Sequence, residues 1–286
     1  ALPEVMGMEV LKHTTRNVLE SALRDATFED GVQWEMSFGY HAGCVWWYAN
    51  PAILGAVNDQ PWPEPYLERL EKMGRFVEAM VDANDHVLLL GDSDRNASWK
   101  RALATLRVAR PDIQYSRPVP PSFNSLWLGD SPQLAEASLN VENVGPVRVD
   151  HFKASNLAIV KNQRGDSFDQ LLFQNGPSLA GHAHPANLAV TWELLGNPVL
   201  LDPGRAVYRI DSDRLWVMCP ASNCLLYIES QPIEFGRSIE HEPFERIPMP
   251  CDPRTSLIEA IHEDAVVTLD AQFAGHAVDP QAVSSR

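Results

Sequence analysis

Apolar residues recur at steps of three and four through the first part of the chain, which is the period of amphipathic helices. One such stripe runs from Leu67 through Leu70, Met73 and Val77 to Met80, behind a proline-rich start at 61–65. The segments 5–23 and 99–108 have the same spacing. The pattern predicts several helices packed on one another over residues 1–110.

The period changes to two in the second half, where short apolar runs alternate with Gly, Pro, Asn and Asp. These runs are 157–160, 171–173, 188–195, 199–201 and 224–228, and Gly196-Asn197-Pro198 is interpreted as a turn between two of them. Residues 111–132 contain five prolines, which interrupt helices. The predicted α+β organisation is a helical domain at 1–110, a proline-rich linker at 111–132 and an antiparallel β-sandwich at 133–286.

Composition and charge narrow the range of partners. The chain has 286 residues, of which 45% are apolar, so it can bury a large core. Its 38 acidic and 23 basic residues give a net charge of −15, whose field repels phosphate and argues against a nucleic-acid binder. No apolar run approaches the ~18 residues of a membrane span. Four cysteines without CxxC spacing are interpreted as ordinary thiols, with one facultative disulfide allowed.

The densest group of chemically active residues is the loop Gly181-His182-Ala183-His184-Pro185, followed by Leu200-Leu201-Asp202-Pro203-Gly204. On a strand the two histidines would share a face, and a tight turn would return Asp202 beside them. Imidazole nitrogen and carboxylate oxygen are suitable Zn²⁺ ligands, so His184 and Asp202 are candidate metal ligands that need a third. The alternative is that the histidines cap a hairpin and that Asp202 only stabilises a turn.

Three ordered blocks resemble the heparinase II/III-like polysaccharide lyases and their alginate lyase relatives. The blocks are residues 30–41 (DGVQWEMSFGYH), 91–94 (GDSD) and 181–228, which holds GHAHP, LLDPG, Tyr208 and the stretch 214–223. The resemblance implies partial (α/α) toroid helices followed by a β-sandwich. Because the chain opens at Ala1 within a predicted helix, we expect the beginning of a longer protein to be missing. The resemblance also implies a periplasmic or secreted location.

The implied activity is β-elimination on an acidic, uronic-acid-containing polysaccharide such as a glycosaminoglycan. The enzyme must neutralise the sugar carboxylate, remove the C5 proton and protonate the leaving C4 oxygen. By motif position His182 is the catalytic histidine, Gln33 binds the carboxylate, and His184 and Asp202 are zinc ligands. Tyr40 and Tyr208 are the candidate substitutes for a catalytic tyrosine that the family places elsewhere.

The chain departs from the family pattern at several positions. Ser222 stands where the third metal-binding histidine is expected, Ala186 stands where an Asp usually follows GHxHP, and no tyrosine lies between Tyr66 and Tyr115. Serine is a poor zinc ligand, so a metal would require another histidine, such as His262. Zinc is therefore a conditional expectation, and weak activity or none is an open alternative.

Other polar residues are candidate substrate contacts. Arg214 is the preferred carboxylate clamp because guanidinium binds carboxylate through two parallel hydrogen bonds. The full set of candidate substrate-binding residues is Glu35, His41, Arg205, Arg214 and Asn223. Tyr40 and His41 could equally be core residues of a helix, and Asp92 and Asp94 are interpreted as a helix-start cap.

Three functions are compatible with these patterns. The leading one is a polysaccharide lyase that acts on an acidic glycan. The second is a glycan-binding relative that has lost the proton-transfer machinery. The third is a metal-dependent hydrolase that uses His182, His184 and Asp202 to activate water.

Overall fold

The computed structural model describes residues 8–96, 98–140, 146–176, 182–184, 187–205, 208, 212–217, 222–223, 259–263 and 266–271. The chain divides into two compact units. Unit 1 comprises residues 1–33, 42–78 and 98–142, and unit 2 comprises 34–41, 79–97 and 143–286. The predicted strand at 224–228 lies outside the described residues. Among the described helices, none is long and apolar enough to cross a bilayer.

Helices make up the first half of the chain. Their bounds are α1 Met8–Asp25, α2 Phe38–Val57, α3 Glu64–Met80, α4 Trp99–Ala109, α5 Phe123–Trp127 and α6 Pro132–Ala137. The stripe predicted for α3 is buried at Leu70, Met73, Val77 and Met80. Helix α4 packs closely on α3, since a Cβ added to Gly74 would lie 2.2 Å from a methyl of Leu106.

The α1 stripe differs from the prediction. The spacing predicts that Val10, Leu11 and Val18 pack on other helices, but they are 72%, 57% and 59% exposed. Leu23, near the end of the helix, is 1% exposed. The period identifies the helix, whereas the partner of its apolar face is not fixed by periodicity alone.

The proline-rich stretch 111–132, predicted to be a linker, contains α5 and belongs to unit 1. A buried ion pair fastens it: Arg107 of α4 donates to both carboxylate oxygens of Asp130, at 3.1 and 2.7 Å, and both side chains are fully buried. Arg107 also donates to the carbonyl of Val119 at 2.7 Å. The prolines end regular helix, but these contacts hold the segment against α4.

Unit 2 contains a five-stranded antiparallel sheet in sequential order, followed by a separate hairpin. The strands are β1 Val147–Phe152, β2 Leu157–Arg164, β3 Ser167–Gln174, β4 Ala189–Leu194 and β5 Asn197–Leu200, with the hairpin formed by β6 Glu259–Glu263 and β7 Val266–Asp270. A short helix, α7 Ser212–Val217, lies between them in sequence. The sequence predicts β2 to β5, but it misses β1, α7 and the β6–β7 hairpin.

The β4–β5 hairpin turns one residue earlier than predicted. Leu195 and Gly196 both have positive φ, at +51° and +74°, as a two-residue hairpin turn of type I′ requires. Asn197, which the sequence places in the turn, is instead the first residue of β5. A Cβ on Gly196 would lie 2.2 Å from the side chain of Asn84, so the glycine also permits close packing.

A carboxyl pair is buried where β4 meets the segment 79–97. Glu193 of β4 and Asp82 are each 1% exposed, and Arg95 donates to both, at 2.6 and 3.0 Å. Burial and the facing Asp82 carboxylate raise the pKa of Glu193 to about 7, although Arg95 opposes them. Between about pH 4.5 and pH 7, the Glu193 carboxyl is therefore protonated in the folded protein. In the unfolded chain, where its pKa is near 4.5, the same carboxyl is ionised.

We predict that this proton makes stability depend on pH. Because the folded pKa is raised, its contribution is complete below about pH 4.5 and is lost as the pH rises through about 7. Glu193→Gln should remove about 1 to 3 kcal/mol of the fall in unfolding free energy between pH 5 and pH 8. Urea unfolding at several pH values measures it. Glu136→Gln, on the exposed face of α6, is the control, and identical slopes for all three proteins would refute the prediction.

Candidate active site

The candidate site belongs to unit 2, where three distant chain segments meet at Asp92. The segment 87–90 is a buried apolar run, and Gly91 ends it in the left-handed conformation at φ +58°. The backbone N–H of Asp92 donates to the carbonyl of His182 at 2.9 Å, and Ser37 Oγ donates to the carbonyl of Asp92 at 2.9 Å. The main-chain groups of Asp92 thus help to bring the 34–41, 91–94 and 182–184 segments together.

The Asp92 carboxylate is fully buried and contacts three donor side chains. His182 Nδ1 lies 3.0 Å from Oδ2, and His184 Nε2 lies 3.2 Å from Oδ1. Arg214 of α7 adds two parallel hydrogen bonds, at 2.5 Å to Oδ1 and 2.8 Å to Oδ2. Burial alone would raise the pKa of Asp92, but these hydrogen bonds hold it well below its ordinary value.

His184 is enclosed between two carboxylates. Its Nδ1 lies 2.9 Å from Asp202 Oδ1 and 3.2 Å from Asn223 Oδ1, while its Nε2 faces Asp92. Burial opposes protonation, but the charge and hydrogen bonds of Asp202 and Asp92 raise the pKa of His184 to about 9. The predicted proximity of His184 and Asp202 is therefore present. It does not arise from strand alternation, since β4 begins only at Ala189.

His182 is the more accessible histidine, with a side chain 25% exposed, and two tyrosines surround it. Tyr40 stacks on its ring with centroids 3.7 Å apart and planes inclined by 16°. Tyr208 meets the same ring edge-on at 5.9 Å, and the two tyrosine hydroxyls lie 2.9 Å apart. Burial, the hydrogen bond with Tyr208 and nearby negative charge, including Glu35, raise the pKa of Tyr40 to about 12.

Positive charge reaches this cluster from two arginines. The guanidinium groups of Arg205 and Arg214 lie 5.5 and 5.6 Å from the Tyr208 ring centroid. Arg205 is 40% exposed and forms an ion pair with Asp94, and its backbone N–H donates to the carbonyl of Ser93 at 3.0 Å. Arg214 is only 12% exposed and holds Asp92 with two of its nitrogens. Arg205 is thus the arginine with access to a ligand.

The structure places the remaining predicted site residues in different settings. Gln33 lies in unit 1, is 3% exposed, and its backbone pairs with Thr27. His41 is 1% exposed, in agreement with the alternative that it is a core residue of α2. Asn223, a predicted substrate contact, is 2% exposed and donates to the carbonyl of Val217 at 3.1 Å. Its Oδ1 lies 3.2 Å from His184 Nδ1, and its role as a substrate contact stays a prediction. The role of Gln33 stays a prediction.

The residues at the predicted zinc position do not supply a complete ligand set. Ser222 Oγ donates its proton to the carbonyl of Trp216 at 2.8 Å. The hydroxyl is therefore engaged in a hydrogen bond to α7. Across the part of the chain that the structure describes, no group of three or more His, Cys, Asp or Glu side chains could hold a metal ion. Both nitrogens of His184 are engaged with oxygens. Zinc at His184 and Asp202 stays a prediction.

Sequence reasoning misses the central role of Asp92. It favours a helix cap for the GDSD stretch, yet α4 begins only at Trp99. The available signal is the preceding buried run 87–90, because a polar side chain directly after such a run often faces a site. Its partners, which lie 90 to 122 residues further along the chain, leave no local trace.

We predict that Gly91 is required by close approach as well as by conformation. A Cβ there would lie 2.5 Å from the carbonyl oxygen of His182 and 2.6 Å from that of Met36. Gly91→Ala should lower the free energy of unfolding by about 2 to 5 kcal/mol. Gly165 has φ +61°, but a Cβ added there would meet nothing within 4 Å, so Gly165→Ala should lose only about 1 kcal/mol. Equal losses in chemical denaturation would contradict the role of close approach.

The chain is similar to proteins of known family and structure. Residues 1–115 match the family model described as Heparinase II/III N-terminus. No curated protein sequence matches the chain at a significant level. A mutant of heparan sulfate lyase HepC from Pedobacter heparinus superposes with a TM-score of 0.70 at 14% identity, covering 96% of this chain and 39% of that one. A structure of heparinase III gives 0.68 at 18% identity, covering 95% and 40%.

These matches agree with the motifs quoted above and with the described helices and antiparallel sheet. The chain spans about 40% of the length of the heparinase III structure. At identities of 14% and 18%, the superpositions establish a shared fold. Together with the family match over residues 1–115, they support a heparinase II/III-like family.

Proposed function

We propose that the protein is a polysaccharide lyase that cleaves uronic-acid-containing, acidic polysaccharides by β-elimination. The observation that carries the proposal is the stack of Tyr40 on His182, with His182 Nδ1 held by Asp92 at 3.0 Å. The similar structures are named heparan sulfate lyase and heparinase III, which favours a glycosaminoglycan as substrate. Elimination breaks the C5–H and C4–O bonds and leaves a double bond between C4 and C5.

His182 is the proposed base. With Nδ1 hydrogen-bonded to the buried Asp92 carboxylate, the neutral ring carries its proton on Nδ1 and presents the lone pair of Nε2. The Asp92 carboxylate also stabilises the imidazolium that forms when Nε2 accepts the C5 proton. Because Arg214 and His184 hold Asp92 in place, the orientation of the ring is set before a substrate binds.

Tyr40 is the proposed acid. Its pKa of about 12 keeps the hydroxyl protonated at neutral pH, so it can donate to the departing C4 oxygen. Tyr208 Oη, 2.9 Å from Tyr40 Oη, can pass a proton to Tyr40 or take its place. The stacking distance of 3.7 Å places acid and base beside each other, which suits removal of a proton from C5 and delivery of a proton to the oxygen on the adjacent C4.

Arg205 is the proposed contact for the substrate carboxylate. It is 40% exposed, lies beside Tyr208 and can exchange the exposed Asp94 for a ligand carboxylate. Arg214 is the carboxylate clamp that the sequence favours. Its guanidinium is hydrogen-bonded to Asp92 instead, so it adds positive charge to the site without being the proposed contact. A positive charge near the carboxylate stabilises the electron density that develops there when C5 loses its proton.

The same proposal includes a toroid-and-sandwich architecture and a location outside the cytoplasm. The helices of unit 1 would form part of an (α/α) toroid, and the sheet of unit 2 would form part of a β-sandwich. A protein that degrades an extracellular acidic glycan would work in the periplasm or after secretion. The similar structures are longer than this chain, so the activity of the whole protein belongs to the proposal as well.

The proposed base, His182, and the proposed acid, Tyr40, should both be needed for cleavage. Incubation with heparan sulfate, heparin, hyaluronan and alginate should release an unsaturated product, detected by its ultraviolet absorbance. His182→Ala and Tyr40→Phe should each lower the rate about 10²- to 10⁴-fold, which is the usual share of general acid–base catalysis. His13→Ala, in α1 of unit 1, is the matched control. Binding without product for any glycan would favour the noncatalytic alternative.

Asp92 is expected to act as a positioning residue that orients His182. Asp92→Asn removes the charge that orients His182, so kcat should fall on the order of 10²- to 10⁴-fold while KM changes little. Asp85→Asn is the control because Asp85 is exposed in the same segment and its φ of +64° suits asparagine. A folded Asp92→Asn protein with wild-type kcat would refute this role.

A further inference from the structure

Helix α5 presents apolar side chains to solvent. Phe123, Leu126 and Trp127 are 76%, 51% and 79% exposed, although the helix has only five residues. Single exposed apolar residues are ordinary, whereas a cluster on one short element marks a surface for interaction. The edge of Phe123 packs against Trp127, with ring centroids 6.2 Å apart, and so supports the orientation of the indole.

This exposed helix is held firmly in place. Ser122 and Ser125 form a reciprocal capping box at its start. Ser125 Oγ also donates to Asp130 Oδ2 at 2.7 Å, and Asp130 is the buried partner of Arg107. Several buried hydrogen bonds therefore fix the position from which Trp127 projects.

Trp127 lines a groove of about 380 Å³ that lies wholly within unit 1, between α2, α4 and α5. This volume falls within the range of roughly 300 to 1,000 Å³ that is usual for small-ligand sites. The wall is mainly apolar, and its hydrogen-bonding groups are contributed by Asn50 of α2, Arg101 and Thr105 of α4, and Asn124 of α5. The combination of amide, hydroxyl and indole groups suits a sugar, whose ring has both polar edges and an apolar face.

Arg101 gives the groove its charge preference. Its guanidinium lies 3.8 Å from the ring centroid of Trp46, which fixes the plane of the group by stacking. A guanidinium held by its face presents its N–H groups at the edge, where they match the two oxygens of a carboxylate or sulfate. In a protein of net charge −15, an anionic ligand depends on such a local cation.

We propose that this groove binds an acidic sugar residue, with Trp127 stacked on the sugar face and Arg101 paired with its carboxylate or sulfate. Asn50 and Asn124 hydrogen-bond the hydroxyls of the sugar. The choice of a glycan chain as the source of that sugar rests on the proposed function. The groove would grip the chain without taking part in its cleavage, because all of its lining residues lie outside the His182 cluster.

Binding is tested on the 286-residue chain carrying His182→Ala, so that turnover does not consume the ligand. The probes are tetrasaccharides of hyaluronan, which carry carboxylates alone, heparan sulfate tetrasaccharides, which add sulfates, and maltotetraose, which is neutral. Calorimetry and tryptophan fluorescence should detect the acidic probes and not the neutral one. Stronger binding of hyaluronan identifies the carboxylate as the group on Arg101, and stronger binding of heparan sulfate identifies the sulfate.

Variants locate the binding in the groove. Trp127→Ala and Arg101→Gln should each weaken binding about tenfold or more, and Arg101→Lys should also weaken it because lysine lacks the planar fork. Gln133→Ala, on the exposed surface of α6 and outside the groove, and Lys100→Gln, beside Arg101 on α4, should bind like the parent. Thermal unfolding checks that each variant is folded.

The outcomes separate this inference from the proposed function. Unchanged binding in Trp127→Ala and Arg101→Gln would overturn the groove even if the wild-type chain releases unsaturated product. Binding that depends on both residues would support it even if no glycan is cleaved. Equal binding of maltotetraose would overturn the acidic preference, and self-association that Trp127→Ala abolishes, without glycan binding, would assign the surface to protein contact instead.

Discussion

The candidate site depends on one buried charge, the carboxylate of Asp92. A carboxylate taken out of water is stable only when strong donors replace its hydration. Here two histidines and an arginine do so, and they come from the loop before β4 and from α7. The same hydrogen bonds that compensate the negative charge of Asp92 also orient His182. Burial of the Asp92 charge and orientation of the His182 ring therefore depend on the same contacts.

Short-range patterns predict much of the fold. The α3 stripe and strands β2 to β5 follow from periodicity, and the pairing of His184 with Asp202 follows from a motif and a tight hairpin. Features set by distant partners are not predicted. The burial of Asn223, the hold of Arg214 on Asp92 and the order within the segment 111–132 each depend on residues that only the fold brings together. Hydrophobic period carries no information about such contacts.

The two units carry different chemistry. In unit 2 the ionisable groups of the site are mostly shielded, and their charges are largely paired, which suits the proposed proton transfer. In unit 1 the noteworthy groups are indole rings and a stacked guanidinium at the surface, which suit the proposed binding of a sugar. The proposed lyase would use both functions, because a long substrate must be retained while one of its linkages reacts.

The contact between Asp92 and Arg214 joins residues that are 122 positions apart, and the one between Tyr40 and Tyr208 joins residues that are 168 apart. Closing loops of this size is entropically unfavourable, so such contacts form late on a folding pathway. The helices of unit 1 and the meander of unit 2 rely on neighbours in sequence and can form first. Chains leaving the ribosome would thus acquire their secondary structure well before the contacts around Asp92, which are complete only when the segment around Arg214 docks.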